Sequence, residues 1–137
     1  IGRTCKWVSP LVKEYTGVDF IPKMIETAKE YNKDFKNAKF IVNDGSTLKE
    51  LPDNYFDIVY SDLAFQHMLK PIQQSYINDV HRVLKKNGEF YTQIARFDYY
   101  KDDKFANTRA EAEAMFSKYA VDYVKTTDAY FYFKVKK

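Results

Sequence analysis

Two acidic residues each close a short apolar run, Asp19 after Tyr15-Thr16-Gly17-Val18 and Asp44 after Phe40-Ile41-Val42-Asn43. A carboxylate at the end of a buried strand is costly unless something answers it, and the carboxyl edge of an α/β sheet is where ligands dock. The two oxygens of Asp19 match the spacing of vicinal ribose hydroxyls, and such charged hydrogen bonds are worth roughly 1.5–3 kcal/mol each. The alternative is that Asp19 caps the helix opening near Pro22. Asp44 has the chemistry to accept from the exocyclic amine of adenine, with Gly45 letting the backbone come close, although Asp-Gly is also a common turn. As a pair, the acids resemble the two ends of a nucleoside clamp.

Other reactive side chains are sparse. His67 lies just past the apolar run at 55–61, and imidazole is the side chain most often used for proton transfer, so it suits a base or substrate contact, or equally the lining of a cofactor pocket. His81 beside Arg82 reads as a boundary residue without a role. His67, His81 and Cys5 lack zinc-ligand spacing, and no metal is expected. Tyrosines in the segment 99–105 either stack on a substrate or are ordinary loop residues. Lys134, Lys136 and Lys137 alternate with Phe133 and Val135 as on a solvated edge strand guarded by lysines.

These residues need a frame. Cys5, Val8, Leu11 and Val12 suit a short helix over 3–9, ended by Ser9-Pro10, with a strand over 15–18. Pro22 at a first turn, with Met24, Ile25, Ala28 and Tyr31 on one face, predicts a helix over 21–32, then a strand over 39–43. Residues 47–51 allow no more than one helical turn, and Pro52-Asp53-Asn54 is a turn ahead of a central strand over 55–61. Pro71 opens a helix carrying Ile72, Tyr76, Ile77, Val80, Val83 and Leu84 on one side, closed by Asn87-Gly88 as a left-handed cap, and a strand follows over 89–95. Thr108-Arg109-Ala110-Glu111 has capping-box form ahead of Ala112, Met115 and Phe116. Strands over 120–126 and 129–135, joined at Thr127-Asp128, predict an antiparallel hairpin at one edge. The alternation implies an α/β fold whose mostly parallel sheet is covered by helices on both faces.

The chain has 137 residues, 45% of them hydrophobic and 30% charged, which suits one domain spanning 1–137. A net charge of +3 is mild: it leaves nucleic acid open as a partner without demanding it. Cys5 is the lone cysteine, so no intrachain disulfide is expected, and no apolar run is long enough for a membrane span. A reducing cytoplasm is the simplest home, with no membrane partner. The 12 Tyr and 11 Phe, many alternating near the carboxyl end, read as sheet-packing residues.

In their order and spacing, these segments resemble the class I S-adenosylmethionine-dependent methyltransferases, in their small single-domain branch, from residue 1 to 137. Ile1-Gly2-Arg3 is similar to the last residues of the family's glycine-rich turn, 15–24 to its second motif, Asp44-Gly45 to its adenine-side acid, 56–68 to its fourth-strand segment and 80–90 to the helix and strand that follow. The resemblance implies a Rossmann-like fold, S-adenosylmethionine as cofactor, and methyl transfer to an N, O or C acceptor, a small molecule being the favoured partner. It also implies a chain that lacks the family's first strand and most of the glycine-rich turn, truncated at the amino end. Carried over residue by residue, it implies that Gly2 approaches the cofactor, Asp19 holds the ribose, Phe20 and Met24 flank the adenine, Asp44 and Gly45 read its edge, and Ser61 and Leu63 face the methionine end. Two rivals stand beside it: a non-catalytic methyltransferase-like binding or interaction domain, and a nicotinamide-dependent oxidoreductase, whose fold also places an acid after the second strand.

Overall fold

A computed structural model describes residues 2–100 and 103–137 of the chain. They form two compact units, Ile1–Ser46 and Thr47–Lys137. Ile1 of the glycine-rich reading, and Lys101 and Asp102 of the tyrosine-rich segment, lie outside the described residues.

The first unit opens with helix α1 (Cys5–Val8) and a 3-10 turn at Ser9–Leu11, where Pro10 stops the helix as expected. Strand β1 (Tyr15–Asp19), helix α2 (Pro22–Tyr31) and strand β2 (Ala38–Val42) follow, with β1 and β2 parallel and in register from Tyr15 opposite Ala38 to Asp19 opposite Val42. Cys5, Ile25, Ala28 and Phe40 make the core, joined by Tyr15, Phe35 and Ala38. Gly17 exists for this packing: a Cβ there would lie 2.8 Å from the Phe40 ring.

The second unit contains β3 (Phe56–Ser61), a 3-10 turn at Phe65–His67, α3 (Lys70–Val83), β4 (Leu84–Ala95), α4 (Arg109–Met115), β5 (Ala120–Thr126) and β6 (Tyr130–Lys136). The sheet runs β3-β4-β6-β5; β3 and β4 pair in parallel, while β6 is antiparallel to both its neighbours. β6 returns between β4 and β5, burying Phe131, Phe133 and Val135, and Phe133 stacks on Phe116 with centroids 4.4 Å apart. The predicted capping box is present, with Thr108 and Glu111 each bonding the other's backbone.

Three expectations change. The lysines do not guard an edge, because the edge strand is β5 and β6 is interior. Lys134 and Lys136 instead hold the sheet together across strands, Lys134 lying 3.2 Å from Glu89 and Lys136 3.0 Å from Asp122. Asn87-Gly88 does not cap α3: the helix ends at Val83, and Leu84 turns straight into β4 to pair with Phe56. Asn87, at φ 66°, serves instead a kink inside β4, where the register jumps from Phe56 opposite Leu84 to Ile58 opposite Glu89. Residues 47–51 form a single hydrogen-bonded turn, Leu51 N–H to Leu48 carbonyl, within the one-turn limit read from the sequence. Arg82 clamps that loop by donating to the carbonyls of Leu48 and Leu51 at 2.8 and 2.9 Å and to Asp53.

The buried face of α3 is also rotated from the one the apolar residues suggested. Gln73, Ile77, Val80 and Val83 are buried, while Ile72 and Tyr76 are half-buried. Gln73 fits because its amide nitrogen lies 3.0, 2.8 and 2.8 Å from the carbonyls of Phe65, Met68 and Phe105, and its oxygen accepts from Asn107 at 2.9 Å. A buried amide so placed ties two loops to one helix, since its own N–H and C=O groups would be costly to bury without those partners. Gln73→Leu should therefore lower unfolding free energy by about 3 kcal/mol in urea denaturation; a loss below about 1 kcal/mol would show that the loops stand without it.

His81 packs edge-on against Tyr119, ring centroids 5.1 Å apart. Burial pushes its imidazole below the ordinary 6.5, and Lys137 and Lys118 add to the effect. The unfolded ring takes up a proton near 6.5 while the folded ring resists until lower pH, so this stability is complete above 6.5 and is lost as pH falls through it. Melting temperatures between about pH 8 and 5 should fall less steeply for His81→Phe, which keeps the ring contact, than for the wild type.

Candidate functional site

The parallel register carries both acids to one edge of the first unit. Asp19 is the last residue of β1, and its carbonyl accepts from Asn43 N–H at 3.1 Å, which fastens the start of the next loop beside it. Its carboxylate takes the Ile21 N–H at 2.9 Å. This is a two-residue Asx turn and not a helix cap: Ile21 is the N-cap of α2 and has no side-chain bond. The carboxylate makes no other hydrogen bond among the described residues.

Asp44 is held more locally, its Oδ1 accepting from Ser46 N–H at 2.8 Å and from the Ser46 hydroxyl at 3.0 Å. Gly45 has φ 78°, and a Cβ there would lie 3.3 Å from Cβ and Cγ of Phe20. The loop after β2 thus passes directly against the residue that follows Asp19. Phe20 is nevertheless 60% exposed and Met24 40% exposed, and Ile21 and Val42 share that exposure. Two acceptor carboxylates beside solvent-facing apolar side chains on adjacent strand ends suit a ligand that has both hydroxyls and a flat ring. Gly2, at φ 64°, is needed for packing: a Cβ there would meet Asn32 Nδ2 and Phe40 Cε1, each at 2.8 Å.

In the second unit Ser61, Leu63 and His67 leave the carboxyl end of β3. Ser61 pairs with Thr92 and lines a cleft of about 320 Å3 among Tyr60, Tyr91, Tyr123 and Tyr132. Gln93 and Thr92 line the same cleft, and Gln93 Nε2 and Thr92 Oγ1 are buried without a hydrogen-bond partner. Leu63 adopts φ 58°, which is unfavourable for a residue with a Cβ and concentrates at functional loops. It is 48% exposed, so packing does not force that conformation. His67 is exposed, and its Nε2 lies 3.1 Å from the amide nitrogen of Gln66.

The structure thus gathers Asp19, Phe20, Asp44 and Gly45 at one strand edge, and Ser61, Leu63 and His67 along one loop of the other unit. Sequence reasoning passed over Gln66, Gln73 and Tyr130, which fix that loop, and left Tyr100, which bonds Tyr130, open between substrate stacking and an ordinary loop residue. The i, i+4, i+7 spacing of Gln73 with Ile77 and Val80 was the available signal. Among the described residues, no three His, Cys, Asp or Glu side chains group as a metal site would require, and no helix is long and apolar enough to cross a membrane.

β1 and β2 are parallel strands with Asp19 ending the first and Asp44 two residues beyond the second, and β1 leads into α2, the α/β arrangement in which ligands dock at the carboxyl ends of strands. The methyltransferase-domain family profile matches residues 1–92, and the chain belongs to that family. No curated protein matches it. Among solved structures, a protein from Pyrococcus horikoshii superposes with a TM-score of 0.83 at 19% identity, covering 98% of this chain and 76% of that one. A SAM-dependent methyltransferase from Methanosarcina mazei gives 0.79 at 17% identity, covering 99% and 87%, and the N-methyltransferase NodS from Bradyrhizobium japonicum gives 0.78 at 13%, covering 99% and 80%. At these identities the likeness shows the fold, which is Rossmann-like.

Gly45→Ala tests the close approach of the two loops. A left-handed backbone costs a residue with a Cβ about 1–2 kcal/mol, so urea unfolding should register a loss of that size, whereas no loss would show that the loop relaxes.

Proposed function

We propose that the protein uses S-adenosylmethionine to methylate an N, O or C atom of a small-molecule acceptor. The observation that carries this reading is the placement of Asp19 and Asp44 at the ends of adjacent parallel strands, in a chain of the methyltransferase-domain family. Asp19 accepts from the ribose hydroxyls with the carboxylate capacity that Ile21 leaves to it. Phe20 and Met24 flank the adenine, and Asp44 with the backbone at Gly45 reads its edge. In the second unit Ser61 and Leu63 are the residues that the family pattern assigns to the methionine end. In the first, Gly2 has the corresponding assignment for the glycine-rich turn.

The sulfonium of the cofactor supplies an already activated methyl group. What this chain must contribute is therefore alignment and exclusion of water, which is why no nucleophile or triad is required.

Titration calorimetry with S-adenosylhomocysteine, run on the protein and on Asp19→Ala and Asp44→Ala, tests the reading. Loss of a charged hydrogen bond should weaken binding about tenfold or more in each variant. Equal affinity in all three proteins would defeat the assignment of the two acids, and tighter binding of NAD than of S-adenosylhomocysteine would move the protein to the oxidoreductases.

A further inference from the structure

His67 ends a hydrogen-bonded chain of side chains drawn from three separate segments. Tyr130, the first residue of β6, donates its hydroxyl to Gln66 Oε1. Its oxygen lies 2.9 Å from the hydroxyl of Tyr100, in the loop after β4. Gln66 Nε2 lies 3.1 Å from His67 Nε2. Directions follow from counting protons. The single hydroxyl proton of Tyr130 goes to Gln66, so Tyr100 must donate to Tyr130. The amide nitrogen of Gln66 carries only donors, so His67 Nε2 must accept, and the proton of the neutral ring is then on Nδ1.

The chain is braced at both ends. Tyr100 stacks edge-on against Tyr99 at 4.8 Å, and the turn containing Gln66 and His67 is fixed by the bonds of Gln73 to the carbonyls of Phe65 and Met68. Tyr130 keeps its proton over the whole physiological range, its hydroxyl pushed up to about 12 by the hydrogen bond with Tyr100 and by burial. It is therefore a permanent donor to Gln66.

We propose that Gln66, Tyr130 and Tyr100 are positioning residues that hold His67 in its Nδ1–H form, making it a hydrogen-bond donor to the methyl acceptor and not a base. The role toward the acceptor rests on the methyltransferase reading, whereas the orientation of the ring does not. With Nε2 engaged and Nδ1 protonated, the neutral ring has no free lone pair with which to take a proton. An acceptor served by this histidine must present a lone pair besides the one that attacks the methyl group, and carry no proton that His67 would have to remove, as a carboxylate does.

Long-range proton–nitrogen NMR of the neutral imidazoles reads the form directly, and with two histidines in the chain the His81→Phe variant assigns the signals. The wild type should show His67 protonated at Nδ1. Gln66→Glu replaces the amide with a carboxylate that accepts from both Tyr130 and the ring, and should move the proton to Nε2 while leaving the His81 signals unchanged as a control on folding. Tyr130→Phe should release Gln66 and give a mixture of the two forms. A wild-type ring protonated at Nε2, the pattern of a turned Gln66, would overturn the proposal, as would a Gln66→Glu spectrum identical to the wild type. Because the measurement needs neither cofactor nor acceptor, its failure is distinct from failure of S-adenosylhomocysteine to bind.

Discussion

At the carboxyl ends of parallel strands, backbone groups run out of partners, and the loops that leave there must supply them. That constraint shapes both units. In the first, the Asp19 carbonyl is taken by Asn43, its carboxylate by Ile21, and Asp44 closes a turn on Ser46. In the second, the turn after β3 depends on Gln73, a fully buried amide whose bonds reach Phe65, Met68 and Phe105. The residues that satisfy the backbone are thus the same ones, or the immediate neighbours of the ones, that present chemistry to solvent.

This sharing explains why the acids have two descriptions that do not compete. Asp19 uses part of its acceptor capacity on Ile21, which orients the carboxylate without exhausting it. An Asx turn is a local, cheap way of holding an anion at a strand end. Gly45 serves in the same way, since its left-handed backbone lets the second loop approach Phe20 and leaves the ring of Phe20 exposed. Leu63, which adopts a positive φ without being buried, is the one position where the loop after β3 departs from comfortable geometry for no packing reason.

Charge in the second unit is used for assembly more than for recognition. Lys134 and Lys136 face Glu89 and Asp122 across three strands, and each carboxylate is held below its ordinary range, first by hydrogen bonding to Tyr91 for Glu89 and to Lys136 for Asp122. Arg82 spends its guanidinium on carbonyls of the loop before β3. The mild excess of basic residues therefore does not gather into a free cationic surface at these positions.

Much of the frame was legible from local pattern alone. Pro22 and Pro10 set helix limits, Thr108 with Glu111 set a cap, and alternation in 129–135 set a strand that the structure places at 130–136, because each depends on neighbours within a few residues. The two acids and their strands were readable for the same reason. The sequence by itself determined the element types, the family and the candidate acids. Only the tertiary structure decided that β6 inserts between β4 and β5, that Asn87-Gly88 kinks a strand instead of ending a helix, and that Gln73 belongs to the core. Each of those depends on partners distant in sequence or on a neighbouring strand's register, as with Gln73 and Asn107 at a separation of 34, and no local periodicity encodes a partner at that distance.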